Sequence, residues 1–219
     1  MKIILSWSGG KDSMLMLHKL LQEGECEILA LITTVIEGEG KIVMHEVPQA
    51  LLETQACALG FPLYTLALPR NPGNAVYEEK FGGMLERLKR RGVEGIAFGD
   101  IFLEDIRDYR EGFLQKVGVQ PLFPIWKTDS RRLARDFIEL GFKGITVCVD
   151  SRALDASFAG REINEDFLQS LPAGVDPCGE NGEFHSFVYD GPLFKDRVHF
   201  KKSQISQRDL FYYCDLIAQ

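Results

Sequence analysis

The sequence predicts an α/β fold, with a Rossmann-like, mostly parallel sheet in the first part of the chain and a smaller α+β domain after it. Three observations carry this. Over residues 2–118, apolar runs of strand length alternate with stretches of helical length, the pattern of βαβ units. Gly24, Gly60 and Gly118 follow three of the helical stretches, where a left-handed C-cap is expected. Beyond about residue 120 the alternation gives way to a stretch dotted with Gly and Pro.

The elements follow in order. KIILS, Lys2 to Ser6, is a short buried strand. From Ser13 to about Gln22 the chain is rich in Leu and Met and reads as a helix. ILALITTV, Ile28 to Val35, is a second buried strand. PQALLETQACAL opens on Pro48 and reads as a helix to Leu59. Phe61 to Leu68 is a strand. Between Glu78 and Arg91, Phe81, Met84, Leu85 and Leu88 recur at helical spacing. Gly95 to Phe98 is a strand ending in Gly99-Asp100, and Phe102, Ile106, Tyr109, Phe113 and Val117 mark another helical face. A helix over about 129–140 and a strand over Gly144 to Val149 follow, then a less regular region to about Pro192. The expected division is residues 1–120 and 121–219, without a flexible linker.

The chain has 219 residues, 45% hydrophobic and 26% charged, with a net charge of −7. That composition suits a globular protein with a real core, and the charge gives no general attraction to nucleic acid or anionic membrane. No apolar run approaches the roughly 20 residues that span a bilayer, so a cytoplasmic protein is expected. Five scattered cysteines suit reduced thiols better than a disulfide scaffold. Oligomeric state is left open, a homodimer included.

Chemistry concentrates in two stretches. In LSWSGGKDSMLMLHKL, residues 5–20, a strand turns on Gly9 and Gly10 into a helix. Backbone N–H groups at the positive end of a helix dipole form an anion site, commonly for phosphate. Ser8 and Ser13 add hydroxyls, Lys11 a charge, and Asp12 a ligand for magnesium. Lys11 and Asp12 are expected to project into a solvent-accessible crevice. The spacing is neither G-x-x-x-x-G-K-[ST] nor G-x-G-x-x-G. In such sheets ligands sit at the carboxyl ends of strands. Gly99-Asp100 and Thr33, within the Ile32–Val35 segment expected near an adenine ring, therefore join Ser8–Ser13 as binding candidates.

The second stretch is VDPCGENGEFHSFVYDGPLF, residues 175–194. Glu180, Glu183 and His185 lie close together beside Cys178 and three nearby glycines. Carboxylates can hold an ammonium ion and position it once deprotonated, so these three are catalytic candidates with Lys11 and Asp12. Weaker candidates are His45, the Glu104/Arg107 pair, and Arg152, Asp155, Arg161 and Glu162, which could together orient a carboxylate. Cys178 reads as packing rather than a nucleophile. Trp7 and Trp126 read as packing too, with stacking on adenine an alternative for Trp126. RLKRRG, Arg87 to Gly92, reads as a solvated helix end.

The loop SGGKDS resembles the S-G-G-x-D-S pyrophosphate loop of the adenine-nucleotide α-hydrolase, or PP-loop, superfamily, a HUP-type fold. Its members split ATP into AMP and pyrophosphate, typically by adenylating an oxygen. Together with Gly99-Asp100, LFPIW and D-P-C-G-E-N-G-E-F-H, the chain resembles the diphthine–ammonia ligase family over essentially its whole length. The resemblance implies an N-terminal PP-loop ATPase domain and a smaller C-terminal domain that completes the substrate cleft. It further implies ATP and Mg2+, ammonia, and as acceptor the carboxylate of diphthine, a modified histidine of elongation factor 2. In a bacterial member the acceptor would be another carboxylate. Two other readings stand beside it. A tRNA-modifying PP-loop enzyme is disfavoured by the acidic balance and the lone Cys178. A non-catalytic nucleotide-binding regulator does not need the intact Lys11-Asp12-Ser13.

Overall fold

A computed structural model describes all 219 residues. Strands β1 (Lys2–Ser6), β2 (Glu27–Ile36), β4 (Leu63–Leu68), β5 (Gly95–Ala97) and β6 (Gln120–Leu122) form a parallel sheet, with β4 and β1 on either side of β2 and then β5 and β6. The short β3 (Lys41–Ile42) pairs antiparallel with the far end of β2 at Val35 and Ile36. Ile3, Ile4 and Leu5 of β1 are fully buried, as expected of a central parallel strand covered on both faces.

Helices α1 (Lys11–Glu23) and α2 (Gln49–Leu59) cover one face, and α3 (Asn74–Lys89) and α4 (Glu104–Val117) the other. Parallel strands share a direction, so the turns after Ser6, Ile36 and Ala97 open at one edge of the sheet.

The second sheet is antiparallel, in the order β8-β7-β10-β9. Its strands are β7 (Lys143–Asp150), β8 (Phe184–Asp190), β9 (Phe200–Arg208) and β10 (Phe211–Ala218), with α5 (Ser130–Glu139) and α6 (Glu165–Ser170) packed nearby. A cluster of 40 buried side chains runs from Ile3 and Met14 through Phe137 and Val149 to Leu216. It joins the two sheets without a break, and α1 is the element between them, touching β1, β8 and α5.

The structure departs from expectation in several places. Helix α3 starts at Asn74, a turn earlier than its apolar pattern, because the first turn contributes no fully buried side chain. The stretch read as irregular contains α6 and all of β8. The β9–β10 hairpin lies where the sequence reading assigns no element.

Candidate active site

The phosphate-loop candidate is where its sequence puts it, between the end of β1 and the start of α1. Gly9 has φ +76°, and a Cβ there would meet Gln55 Oε1 at 3.0 Å and Leu52 Cδ1 at 3.1 Å. Both the backbone and the packing therefore require glycine. Helix α1 has no side-chain N-cap of its own, since its cap residue is Gly10. The cap comes instead from the second sheet, where Ser186 Oγ accepts from the Lys11 N–H at 3.1 Å. The Val188 N–H donates to Gly9 O at 2.9 Å. Gln55, fully buried on α2, donates to Gly9 O at 2.9 Å and to Val188 O, and accepts from Trp7 Nε1 at 2.8 Å. Ser8 and Ser13 bond through their hydroxyls at 2.9 Å.

A cavity of about 370 Å3 opens beside this loop, within the ~300–1,000 Å3 of small-ligand sites. Its walls include Ser8, Gly10, Asp12 and Ser13, Thr33 in the second half of β2, and Gly99 and Asp100 after β5. Gly99 packs on the loop so closely that a Cβ would lie 3.1 Å from the Asp12 backbone. From the loop before β8 come Cys178 and Glu180, and from β8 itself His185 and Ser186. The topology thus brings both informative stretches to one cavity.

Three candidates do not line it: Gly9, Lys11 and Glu183. Lys11 is 1% exposed and ion-paired with Asp12, rather than projecting into solvent. Burial disfavours its charge, yet the Asp12 carboxylate, assisted by Cys178, holds its pKa above the ordinary lysine value. The expectation of a solvated lysine fails because α1 is packed between the two sheets, which encloses the Lys11 side of its first turn while Asp12 and Ser13 face the cavity. Glu183, 8% exposed, accepts from the Asp176 N–H at 3.0 Å, the Asn181 N–H at 3.0 Å and Asn181 Nδ2 at 2.9 Å. Its carboxylate ties the loop together and does not border the cavity.

Glu180 is the contrasting case. It accepts from the Ile101 N–H at 2.7 Å, with a longer contact from Phe102 N–H, and it borders the cavity. Burial, with the nearby charges of Asp12 and Asp100, outweighs those bonds and pushes its pKa up to about 7.

His185 stands beside His45, ring centroids 4.7 Å apart, and both line the cavity. His45 Nδ1 lies 3.1 Å from Ser186 O. Because a carbonyl only accepts, that nitrogen carries the proton. Asp100 is ion-paired with Arg110 at 2.7 Å, and the Arg110 guanidinium lies 4.2 Å from the centroid of the Phe98 ring.

The weaker candidates disperse. Glu104 pairs with Lys127 on the surface. Arg107 bonds Glu111 and covers the rings of Phe123 and Trp126, so Trp126 already has a cationic partner. Arg152 grips Asp150, Asp155 caps a short 3-10 turn at Ser157, Arg161 covers Phe158, and Glu162 accepts from Tyr189. These four do not converge on a common site. The Cys178 thiol contacts Ser130 O at 3.2 Å, and burial pushes its pKa up to about 12. Gln55 and Ser186 were missed. Gln55 left a signal, a polar residue on the apolar face set by Leu51, Leu52 and Ala56; Ser186 left none.

No cluster of three or more His, Cys, Asp and Glu side chains is arranged for a metal. Magnesium needs none, since it is commonly held by one or two carboxylates together with substrate phosphates and water. Asp12, on the cavity wall with its side chain 28% exposed, fits that use.

Residues 1–121 match the diphthamide synthase N-terminal domain and residues 129–217 the diphthamide synthase C-terminal domain. A mouse (Mus musculus) protein named diphthine–ammonia ligase is 27% identical over 227 residues, spanning 93% of this chain and 84% of the mouse protein. The human (Homo sapiens) protein of that name is 27% identical over 228 residues, spanning 94% and 85%. The fission-yeast (Schizosaccharomyces pombe) one is 26% identical over 235 residues, spanning 99% of this chain but 39% of its own length. A solved structure described as a predicted subunit of tRNA methyltransferase from Methanocaldococcus jannaschii covers 67% of this chain and 80% of its own, at 21% identity and a TM-score of 0.43, a likeness too slight to bear on function. With both halves of the chain matched in order, this protein belongs to the diphthamide synthase family.

Proposed function

We propose that the protein is an ATP-dependent amide ligase that adenylates a diphthine-like carboxylate and amidates it with ammonia, releasing AMP and pyrophosphate. One observation carries this reading: a glycine phosphate loop after β1 and a half-buried glutamate in the loop before β8 face the same cavity. Residues 1–120 act as the ATP-binding domain and 121–219 as the acceptor domain.

The chemistry sets the division of labour. A carboxylate is a poor acyl donor because its oxygen leaves badly. Attack of that oxygen on the α-phosphorus of ATP gives an acyl-adenylate, from which AMP leaves readily. Pyrophosphate departs first, and its charge is met by the positive end of the α1 dipole and the Ser8 and Ser13 hydroxyls, which face the cavity. Lys11 acts from behind the loop, fixing Asp12. Asp12 would hold Mg2+, which supplies charge neutralisation on the phosphates. Thr33 and the end of β2 receive the adenine side, and Gly99 and Asp100 the ribose.

Glu180 then serves the second half-reaction. With a pKa near 7 it is partly ionised at neutrality, able to draw an ammonium ion by charge and accept its proton. His185 borders the same cavity. Glu183 supports this by holding the loop that carries Glu180, which revises its expected catalytic role. A sulfur-transferring alternative gains no support, because Cys178 is buried with a raised pKa and is the only cysteine on the cavity wall.

The test is the identity of the products. Elongation factor 2 halted at the diphthine stage is supplied with ATP and an ammonium salt. Ammonia-dependent AMP, pyrophosphate and amide are expected. Conversion of ATP to ADP, or tight binding without turnover, would refute the ligase.

A further inference from the structure

The reaction above gives no role to His45, although it lies against the phosphate loop. A Cβ built on Gly10 would be 3.3 Å from His45 Cε1, the carbon between the two ring nitrogens. The nitrogen-bearing edge of the ring therefore faces the residue at the head of α1. Nδ1 is committed to Ser186 O, at 3.1 Å. That leaves Nε2 as the nitrogen that can gain a proton. His185 lies against the same ring at 4.7 Å, and two imidazoles that close hold one proton far more readily than two.

We infer that His45 takes up a proton when the triphosphate of the nucleotide binds and gives it to the departing pyrophosphate. This rests on the ligase reading of the cavity. The step balances. An acceptor carboxylate oxygen bonds to the α-phosphorus, and the bond from that phosphorus to the pyrophosphate oxygen breaks. The electron pair stays with the pyrophosphate oxygen, the His45 Nε2 proton moves to it, and His45 returns to its neutral form. In the absence of nucleotide both rings are neutral, His45 pushed down to about 4 by burial against the favourable Ser186 carbonyl, and His185 down to about 3 by burial and by His45.

The other charged groups nearby are each engaged or distant from this pair. On the same segment, Glu46 is tied to Arg70 at 2.7 Å and to Arg208 of β9 at 3.0 Å. On α1, Asp12 is held by Lys11. Glu180 accepts from Ile101 N–H, and Asp100 pairs with Arg110 of α4. From β8 come only His185 and Ser186. A polyphosphate would thus be the first strong negative charge brought to the ring, and an approaching anion favours the protonated form.

The experiment is calorimetry of the full chain with α,β-methylene ATP and magnesium near neutral pH, in two buffers of different ionisation enthalpy. The wild type is expected to take up close to one proton, or about one, per nucleotide bound. His45→Asn keeps an amide donor for Ser186 O but cannot be protonated. It is expected to melt like the wild type, to show no uptake, and to bind about tenfold more weakly, one pKa unit of lost stabilisation. His185→Phe, which keeps a ring against His45, should retain the uptake. Binding by the wild type with no uptake overturns the inference while leaving the ligase standing, as does uptake that survives in His45→Asn. Uptake lost in His185→Phe but kept in His45→Asn assigns the proton to His185 and overturns it too. No nucleotide binding at all removes the ligase reading itself.

Discussion

The phosphate loop, residues 8–13, and the loop from Asp176 to Glu183 close on the same cavity from opposite sides and are built from different materials. The first is main chain held by main chain and neutral side chains, with Gly9 O shared between Val188 N–H and Gln55 Nε2, and Lys11 N–H capped by Ser186 Oγ. Its charges are set back in the wall as a Lys11–Asp12 pair. The second is a run of carboxylates. Asp176 accepts from the Cys178 and Glu180 N–H groups, and Glu183 from three donors. Of these only Glu180 borders the cavity, and burial pushes its pKa up to about 7. The difference teaches that a carboxylate enclosed by the donors of its own loop folds the chain, while one turned onto the cavity wall stays available to a ligand.

The sharpest way to break that contrast is to neutralise each glutamate in turn. Glu180→Gln keeps an oxygen for Ile101 N–H, so the melting temperature should hold while ammonia-dependent amide formation falls about 10²–10⁴-fold. Assayed at constant free ammonia, the wild-type rate should rise with pH through about 7 and the residual rate of the variant should not. A flat wild-type profile would take Glu180 out of the proton transfer.

Next in size is the buried ion pair, where the two partners should differ. Asp12→Asn strands a lysine that is 1% exposed, and breaking a buried pair in this way costs about 3–5 kcal/mol. Lys11→Met leaves a carboxylate that still reaches solvent and should cost less, although pyrophosphate release is lost in both. Thermal melting and pyrophosphate release, measured on each variant, check this. Equal and negligible melting shifts would restore the solvated lysine that the sequence suggests.

Glu183→Gln should come third. It turns one acceptor into a donor facing N–H groups, at about 2–4 kcal/mol for two or so lost charge-assisted bonds. For a chain of this size that is roughly 4–16 °C in melting temperature. ATP affinity should be near normal at low temperature. Full activity loss with an unchanged melting curve would return Glu183 to the reacting groups.

The smallest effect is in the acid limb of stability. His45 and His185 have pKa values lowered in the folded chain, so the unfolded chain binds more protons as pH falls from about 6.5 toward 4. Stability they support is complete above that window and declines through it. Urea denaturation over this range should show a shallower slope in His45→Asn than in the wild type, and equal slopes would contradict the buried neutral pair.

Much of this was legible in the sequence, for physical reasons. A phosphate loop needs a left-handed turn and close approach, and both are written as glycine, at Gly9 with φ +76° and at Gly10, where a Cβ would meet Ser186 O at 3.0 Å. Central parallel strands are buried on both faces, so KIILS and ILALITTV stand out as unbroken apolar runs. What stayed hidden depends on partners remote in the chain. Ser186 lies 175 residues from the amide it caps, and β8 (FHSFVYD) follows directly on a turn-rich loop with no alternation of its own to mark it. The roles of Glu180 and Glu183 could not be separated by residue type, because the donors that distinguish them are backbone groups. Lys11 looked solvated because nothing in SGGKDS announces that a second sheet covers α1.

The central claim is that a carboxylate oxygen attacks the α-phosphorus of ATP in this cavity. The most direct measurement follows that oxygen: the acceptor carboxylate on elongation factor 2 is labelled with heavy oxygen, and the AMP formed with ammonia is weighed by mass spectrometry. An acyl-adenylate puts a single labelled oxygen into AMP and leaves pyrophosphate unlabelled. Label appearing in inorganic phosphate beside ADP, or amide formed with unlabelled AMP, would contradict it.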